Sequence, residues 1–441
     1  MTAEPRTLRT RTEEALAALF AHSRATLPGG DPVRARRNAA FSLFEQFGLP
    51  HRRVEAWKYT DLRTLMRSAA PLAGPAPSAL LGTVAEADPI ATLDRAQIVI
   101  VNGVFEAELS DLSGIEGVTV EPLAHVLATS PERIGRLVDD ASDTVIALNT
   151  ALMQGGAVIT VAPGARPSRP IEIVHLTAAT EPVSVYARSV VSVGAGAVVR
   201  FVESHRGVPG LAYQVNALIE LEVGEAARLT WARLQAESES ALHVTSFLAR
   251  LDARAELDHV VVNSGAALSR WQGFLDLAGE GVRMGFSGAT MLSGTEHGDT
   301  TLVVTHGEPH QSSRENYKAA IDGRATGVFQ GKIVVAQGAQ KTDARMMAKA
   351  LLLSDEAEFA SKPELEIFAD DVQCGHGATA GQISDTELFY LMSRGIPRAE
   401  AERLLIEAFL DDAIDVVGDE AIGEALKGVV AAWLAQRGEG R

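Results

Sequence analysis

The sequence predicts a mainly β fold, in which a solenoid of stacked parallel strands lies between α-helical regions at the two ends of the chain. Three observations support this prediction. From about Ala157 onward, short segments such as "AVITVA", "IEIVHL" and "AVVRFVES" alternate apolar and polar residues with the period of two that is typical of strands. Turn-forming residues separate these segments at nearly constant spacing. On either side of them, apolar residues recur at helical spacing instead.

The spacing of the turns favours a solenoid. Turn residues recur at almost equal intervals along the chain, at Gly164, Gly194, Gly224, Asp252 and Gly279. The interval is roughly 28 residues, and a repeat of that length with two short strands and two turns fits one coil of a flattened solenoid. An antiparallel β-sandwich is the alternative, because its strands also recur every ~8–12 residues. The lack of obvious two-residue hairpin loops favours the solenoid.

A second series of turns is shifted relative to the first. Asp322 and Asp355 are separated by a little more than one repeat, whereas Asp322 follows Gly279 by about one and a half repeats. We therefore expect the second series to lie on the opposite side of the coils.

The N-terminal region is predicted to be helical. The segment "TEEALAALFAH" places Leu16 and Phe20 on one helical face, and "RARRNAAFSLFEQFGLP" does the same with Phe41, Phe44 and Phe47 before a Gly-Leu-Pro stop. Residues 68–89 are rich in Pro, Ala and Gly and predict a loop-rich connection. In "AQIVIVNGVF", an Asn-Gly pair predicts a tight turn between two apolar runs.

Residues 122–152 return to helical patterning, and the chain is helical again after Gly381. In the C-terminal part, two apolar stripes look wide enough to pack on the solenoid and on another surface; simple capping of the solenoid end is the alternative. The stripes are Ile406, Leu410, Ala413 and Val417, then Ile422, Leu426, Val429 and Trp433. We divide the chain into an N-terminal helical region with a linker (1–90), a mixed α/β connection (91–155), the solenoid core (156–381) and a C-terminal helical region (382–441).

Composition makes several classes of partner improbable. The net charge is −17, from 57 acidic and 40 basic residues, and such a negative field repels nucleic acid and anionic lipid. No apolar run approaches the ~18–20 residues of a membrane helix. The N-terminus lacks an apolar segment of the secretory type, and a single cysteine cannot form an internal disulfide. We expect a cytoplasmic protein.

The lone cysteine lies in "DDVQCGHGAT", where Cys374 and His376 flank Gly375. In an extended segment these two side chains project from the same face, and the glycine leaves the other face bare. Thiolate and imidazole are donors for zinc, copper and iron–sulfur species. Asp370 and Asp371 are close enough to add oxygen ligands, although acidic pairs in loops are commonly solvated. A buried structural cysteine is the alternative.

The chain cannot complete a thiolate site alone, because no second cysteine exists. The other ligands must be histidines or carboxylates, or a second protein must supply a thiolate. His175 and His259 lie in strand-like segments and predict satisfied strand histidines, whereas His297, His306 and His310 fall in a polar region crowded enough to be a site. The sequence lacks G-x-x-x-x-G-K-[ST] and G-x-S-x-G, so neither ATP hydrolysis nor an α/β-hydrolase triad is expected.

The run from Gly323 to Pro397, which includes "GKIVVAQGAQKTDARMMAKALLLSDEAEF" and "DDVQCGHGATAGQISDTELFYLMSRGIP", closely resembles the SufD family of iron–sulfur cluster assembly proteins. The segment "EAWKYTDL", Glu55 to Leu62, resembles the early motif of that family. The resemblance extends over about residues 50–415. The related SufB subunit carries a cysteine in an "N-x-T-x-C-D-S"-like segment, where this chain reads "KTDARMMAKALLLS" without a thiol. This departure favours the SufD branch.

The resemblance implies a right-handed parallel β-helix core with helical N- and C-terminal regions. It further implies a SufB-like paralogue as pairing partner and a SufC-like ABC ATPase that docks on the C-terminal helices, from Ser384 to Val417. Cys374 and His376 would lie at the junction with the paralogue and ligate a transient iron–sulfur cluster that both subunits share. The candidate docking residues are Leu388, Phe389, Arg394, Gly395, Leu404, Leu405 and Phe409.

On this basis we expect a non-catalytic scaffold subunit of a SufBCD-type complex, with no cofactor tightly bound by the isolated chain. A purely architectural subunit, in which Cys374 touches neither iron nor sulfur, is one alternative. A carbohydrate-active β-helix enzyme is another, which the missing secretion signal and ungrouped acidic residues disfavour. A homodimer of the isolated chain through the same solenoid edge stays open, as do the cluster type, flavin binding and the recipient protein.

Overall fold

The computed structural model describes residues 9–141 and 143–439. Within these residues the helices are α1 (Arg11–Ser23), α2 (Asp31–Phe47), α3 (Leu62–Leu65), α4 (Ser78–Glu86), α5 (Leu123–Thr129), α6 (Thr144–Leu152), α7 (Asp385–Ser393), α8 (Arg398–Ile414) and α9 (Glu420–Glu439). Short 3-10 turns occupy Glu55–Trp57, Ala107–Leu109 and Pro131–Arg133.

The strands of the N-terminal half are β1 (Ala96–Val101), β2 (Val104–Phe105), β3 (Val118–Pro122), β4 (Ala157–Val161), β5 (Ile171–Thr177), β6 (Ser184–Val193), β7 (Val198–Gly207), β8 (Gln214–Val223) and β9 (Arg228–Glu237). Those that follow are β10 (Leu242–Leu251), β11 (Glu256–Gly265), β12 (Leu268–Leu277), β13 (Arg283–Leu292), β14 (His297–His306), β15 (Ser312–Ile321), β16 (Thr326–Val335), β17 (Asp343–Leu352), β18 (Glu358–Ile367) and β19 (Gln373–Gly381).

These strands form two facing sheets that the chain enters alternately. One sheet has the order β19-β17-β15-β13-β11-β9-β7-β5-β1-β2, and the other has the order β18-β16-β14-β12-β10-β8-β6-β4-β3. Neighbouring strands are parallel from β4 onward. The predicted mainly β solenoid, a parallel β-helix, is confirmed, and the antiparallel sandwich is wrong.

The coils repeat as the turn spacing predicts. Gln214 on β8 pairs with Leu242 on β10, and Leu242 pairs with Leu268 on β12, so that each coil places its strand one predicted repeat further along the chain. Asp322 lies in the turn between β15 and β16, on the side opposite to the turn at Gly279 between β12 and β13. The shift between the two turn series is therefore confirmed. Inward side chains form one continuous aliphatic and aromatic core along the solenoid.

The segment before the predicted core contributes strands of its own. Strand β1 pairs in parallel with β5, whereas β2 and β3 pair antiparallel with β1 and β4 and finish one end of each sheet. Asn102 and Gly103 have φ values of 49° and 85°, as a tight turn between antiparallel strands requires. The predicted loop-rich connection over residues 68–89 also contains a helix, α4, that packs its apolar face on the solenoid.

The N-terminal helices pack against one face of the nine-stranded sheet. Thr10 and Glu13 form a reciprocal cap at the start of α1. Leu16, Phe41 and Phe44 are buried as predicted, whereas Phe47, the last residue of α2, is 59% exposed. The predicted helix therefore reaches Phe47 and ends where Gly48 adopts a φ of 74°, as the Gly-Leu-Pro stop indicated, although the Phe47 side chain is not part of the buried face.

The C-terminal helices cover part of the ten-stranded sheet. Both predicted stripes are buried in a second apolar cluster with residues of β9, β11 and β13. Helix α8 contacts β13 and β15, and Lys318 of β15 pairs with Asp412 and lies 4.8 Å from the ring of Phe409.

In the described part of the chain, no helix is both long and apolar enough to cross a bilayer.

Candidate functional site

Cys374 and His376 lie on β19, the last strand of the ten-stranded sheet. Cys374 pairs with Ala344 and His376 pairs with Met346 on β17. Because Ala344 and Met346 are buried in the interior, the in-register neighbours Cys374 and His376 also face the inside of the solenoid at its end. The two donor side chains therefore share one face.

The two side chains differ in exposure. Cys374 is half-buried and packs against the apolar interior, while His376 is exposed. Burial raises the pKa of the Cys374 thiol, an N–H of Ala344 opposes this effect, and the carboxylates of Asp343 and Glu315 raise the pKa further. Without a bound cation, the thiol therefore holds its proton at neutral pH, and a metal that binds it must displace that proton.

An open depression of about 570 Å³ surrounds the site. Its lining combines two arginines, Arg314 and Arg345, with Met346, Cys374 and His376. Arg314, Arg345 and Gly375 are in register, so the two guanidinium groups project from the outer face of the sheet, opposite to the thiol and the imidazole. Arg314 also pairs with Asp343, which holds one carboxylate of this region in place.

Glu315 is a site residue that the sequence did not indicate. It lies on the inner face of β15, in register with Met346 and, through Met346, with His376. It is only 2% exposed, and neither carboxylate oxygen has a hydrogen-bond partner of normal geometry among the described residues. Burial raises its pKa to about 8, opposed by the Ser313 hydroxyl.

The two acidic residues before the strand do not join the site. Asp370 is exposed, and Asp371 pairs with Lys341 across the turn. Gly375, in contrast, faces open space, since a Cβ atom built on it meets no atom within 4 Å. The outer face of β19 is thus accessible at the position between the two donors.

Each sheet finishes in an edge strand at this end of the solenoid. The outer edges of β18 and β19 have no strand neighbour among the described residues. Exposed apolar side chains accompany these edges, with Phe368 62% and Ile367 41% exposed. Unpaired backbone groups beside apolar side chains are the features by which an edge strand adds a second chain.

The predicted docking residues fall into three groups. Phe389 is 73% exposed, and its neighbours Tyr390 and Met392, which the sequence analysis omitted, are 55% and 43% exposed. Leu404 and Leu405 are half-buried. The remaining four pack within the subunit or shape the corner after α7. Leu388 is buried, and Phe409 packs on the solenoid. Arg394 stacks on Tyr390, and Gly395 turns the chain with a φ of 88°.

The histidines of the polar region do not converge. His297 and His306 stand at opposite ends of β14, and His310 is exposed in the next turn. His297 bonds to Thr60 at 2.9 Å, and His306 bonds to Ser313 at 3.0 Å. These contacts indicate structural roles. His175 Nε2 is buried without a hydrogen-bond partner among the described residues, and the predicted role of His175 and His259 as satisfied strand histidines stays a prediction.

Comparison with known proteins gives consistent matches over almost the whole chain. Residues 175–409 match the family model described as "SUF system FeS cluster assembly, SufBD core domain", and residues 10–173 match "SufBD protein N-terminal region". An iron–sulfur cluster assembly SufBD family protein of Synechocystis sp. is 31% identical over 395 residues, which cover 87% of each chain. The iron–sulfur cluster assembly protein SufD of Escherichia coli is 32% identical over 398 residues, or 88% of this chain and 89% of the relative.

Proposed function

The chain belongs to the SufBD family of iron–sulfur cluster assembly proteins, and from this membership we propose that it is a non-catalytic scaffold subunit of a SufBCD-type complex. It pairs with a cysteine-bearing SufB-like paralogue and binds a SufC-like ABC ATPase. Cys374 and His376 contribute ligands to a cluster that is built at the junction of the two paralogues and then passed on.

One observation carries this proposal: the thiol and imidazole lie side by side on the inner face of the last strand, whose outer edge has no strand neighbour among the described residues. Two donors are too few for a closed site, because tetrahedral iron and zinc sites commonly take four. A paralogue that docks against the edges of β18 and β19 would bring its own donors to the same place. A site shared between two chains can open when the junction moves, which suits a cluster that must leave.

The thiol is suited to transient rather than permanent ligation. Since its pKa is raised, iron must compete with a proton for Cys374, and the bond weakens whenever the ligand set is incomplete.

The C-terminal helices offer the ATPase a route to the site. Exposed Phe389 on α7 is the docking anchor, and α8 joins this surface to β15 through Lys318 and Asp412. Strand β15 lies two positions from β19 in the same sheet. We propose that nucleotide-driven approach of two ATPase subunits moves α7 and α8 and rearranges the junction between the paralogues.

The ligand role is tested by reconstituting the purified complex with iron and sulfide after Cys374→Ala or His376→Ala. We expect both variants to lower cluster yield and shorten cluster lifetime, read from visible absorption and Mössbauer spectra. His310→Ala, which removes an exposed imidazole from a turn, is the matched control and should behave as the parent. Unchanged yield and lifetime in both site variants would leave only the architectural role, which co-purification of the ATPase and the paralogue would still detect.

A further inference from the structure

A second group of metal-ligating side chains is buried inside the solenoid, far from Cys374. His175 on β5 and Glu203 and His205 on β7 all point inward and are at most 8% exposed. Their ligand atoms lie within 4.8 Å of one another. Strand β7 is six strands away from β19 in the ten-stranded sheet, so that about 29 Å separates this group from the end of the solenoid.

The geometry directs three donor atoms at one point. His175 and His205 are in-register neighbours whose rings stack with centroids 4.3 Å apart. Nε2 of His205 lies 2.7 Å from Oε1 of Glu203, and Nε2 of His175 has no hydrogen-bond partner among the described residues. An unpartnered buried nitrogen is costly, and a cation between the three groups would satisfy it.

The surrounding residues orient Glu203 and leave one of its oxygens available. The indole N–H of Trp231 donates to Oε2 at 3.2 Å, which fixes the plane of the carboxylate and directs Oε1 toward His205. Neighbours of this kind orient metal ligands in many proteins. Arg233 Nε lies 3.5 Å from Oε1, which is too long for a strong hydrogen bond.

Further charged and polar side chains lie beside this group. Arg233 donates to Nε2 of His243 at 2.9 Å, and Nδ1 of His243 lies 2.5 Å from Oε2 of Glu237. The carboxylates of Glu203 and Glu237 therefore share this part of the interior with the guanidinium of Arg233 and the ring of His243.

We propose that His175, Glu203 and His205 bind a divalent first-row transition metal ion, Fe²⁺ or Zn²⁺, at a site separate from Cys374 and His376. Two imidazoles and one carboxylate form a ligand set that both ions accept, with a further position open to water. The ion gives Nε2 of His175 a partner and joins neighbouring coils at β5 and β7. Glu237, which lies beside His243, also lines an open depression of about 600 Å³ next to α9.

The test uses the full chain with Cys374→Ala and His376→Ala, so that the terminal site cannot hold metal. The protein is purified anaerobically from cells supplied with iron and from cells supplied with zinc, and its metal content is measured by mass spectrometry. We expect about one equivalent of Fe or Zn per chain, with X-ray absorption that shows nitrogen and oxygen ligands and no sulfur. Adding His175→Gln and His205→Gln should lower the content roughly tenfold or more.

Two further variants keep the outcome clear. Glu203→Gln preserves the shape of the side chain but removes its charge, and this variant should also lose the metal. It replaces the histidine variants in the test if those fold poorly. His259→Gln alters another buried imidazole of the same interior and should retain the metal. Less than about a tenth of an equivalent in the parent under both supplements, or full occupancy after Glu203→Gln, would overturn the proposal.

Discussion

Trp57 shows how a residue of a recognisable motif can serve the fold rather than the chemistry. It lies in "EAWKYTDL", is 1% exposed, and donates from Nε1 to Asp143 at 2.9 Å. The guanidinium of Arg270, on β12, lies 3.8 Å from its ring centroid, and Thr60 of the same motif bonds to Asp299 on β14. The motif therefore attaches the N-terminal region to the solenoid, a role that its residue types alone did not indicate.

At the same scale, Glu315 should make stability depend on pH. Its pKa is raised by burial to about 8 from an ordinary value of 4.5. The folded protein thus keeps a proton that the unfolded chain loses, and the free energy of unfolding falls between these pH values by up to roughly 1.4 kcal/mol per unit. Glu315→Gln removes this loss. We expect the variant to unfold at a higher temperature than the parent at pH 8.5 and at a similar temperature near pH 4.5.

Thermal unfolding at the two pH values checks this expectation. Glu308→Gln is the matched control, because Glu308 is an exposed carboxylate in the turn that precedes β15. The control should unfold as the parent does throughout. Equal unfolding temperatures of Glu315→Gln and the parent at pH 8.5 would show that the buried carboxylate finds a partner or solvent in solution.

At the scale of elements, the sequence predicted the repeating coils and the terminal helices but did not place β1 and β3 in the sheets. The coils were visible because turn residues recur at nearly constant spacing, and each repetition strengthens the signal. Strands β1 and β3 carry no such repetition, since β1 opens the stack and β3 pairs antiparallel at its edge. Their place in the sheets depends on tertiary pairing, which a short apolar run cannot specify.

The same contrast holds for the candidate sites. The shared face of Cys374 and His376 follows from strand alternation, and the sequence could predict it. The cluster around His205 could also have been found, because His175 precedes it by one coil of the solenoid and is its direct partner in the sheet. Glu315 could not, since its lack of partners depends on which side chains surround it in the folded interior.

Helix α7 presents the surface that we assign to the ATPase. Phe389 and Tyr390 are mostly exposed on this nine-residue helix, and large exposed aromatic side chains are frequent anchors of protein interfaces. We expect Phe389→Ala to weaken binding of a SufC-like ATPase by roughly tenfold or more, measured by calorimetry, with little change in thermal unfolding. Phe47→Ala is the control: it removes another exposed phenylalanine ring, on α2, and should leave ATPase binding intact. If the ATPase binds both variants with equal affinity, α7 is not part of the docking surface.

At the scale of the whole molecule, the two ends of the solenoid differ. The end near the N-terminus finishes in short antiparallel strands, β2 and β3, and a two-residue edge such as β2 offers little to a second chain. The other end finishes in β18 and β19, which are ten and nine residues long and lack a strand neighbour on their outer edges among the described residues. This asymmetry favours assembly through one end, the end that holds Cys374.

Gly375 allows this directional assembly to be tested without disturbing the subunit. A Cβ atom at this position meets nothing within 4 Å, and the backbone needs no left-handed conformation there, so Gly375→Gln should fold and unfold as the parent does. In a complex, the added side chain would project from the outer face of β19, opposite to the two donors, and would obstruct a partner that approaches the edge strand across that face. We expect a loss of affinity for a SufB-like paralogue of roughly tenfold or more, measured by surface plasmon resonance.

Gly82→Gln, on α4 with equally open surroundings, is the control. If Gly375→Gln binds the paralogue as tightly as Gly82→Gln does, the partner does not approach across this face of β19, and the cluster ligands of the two subunits must meet by another geometry.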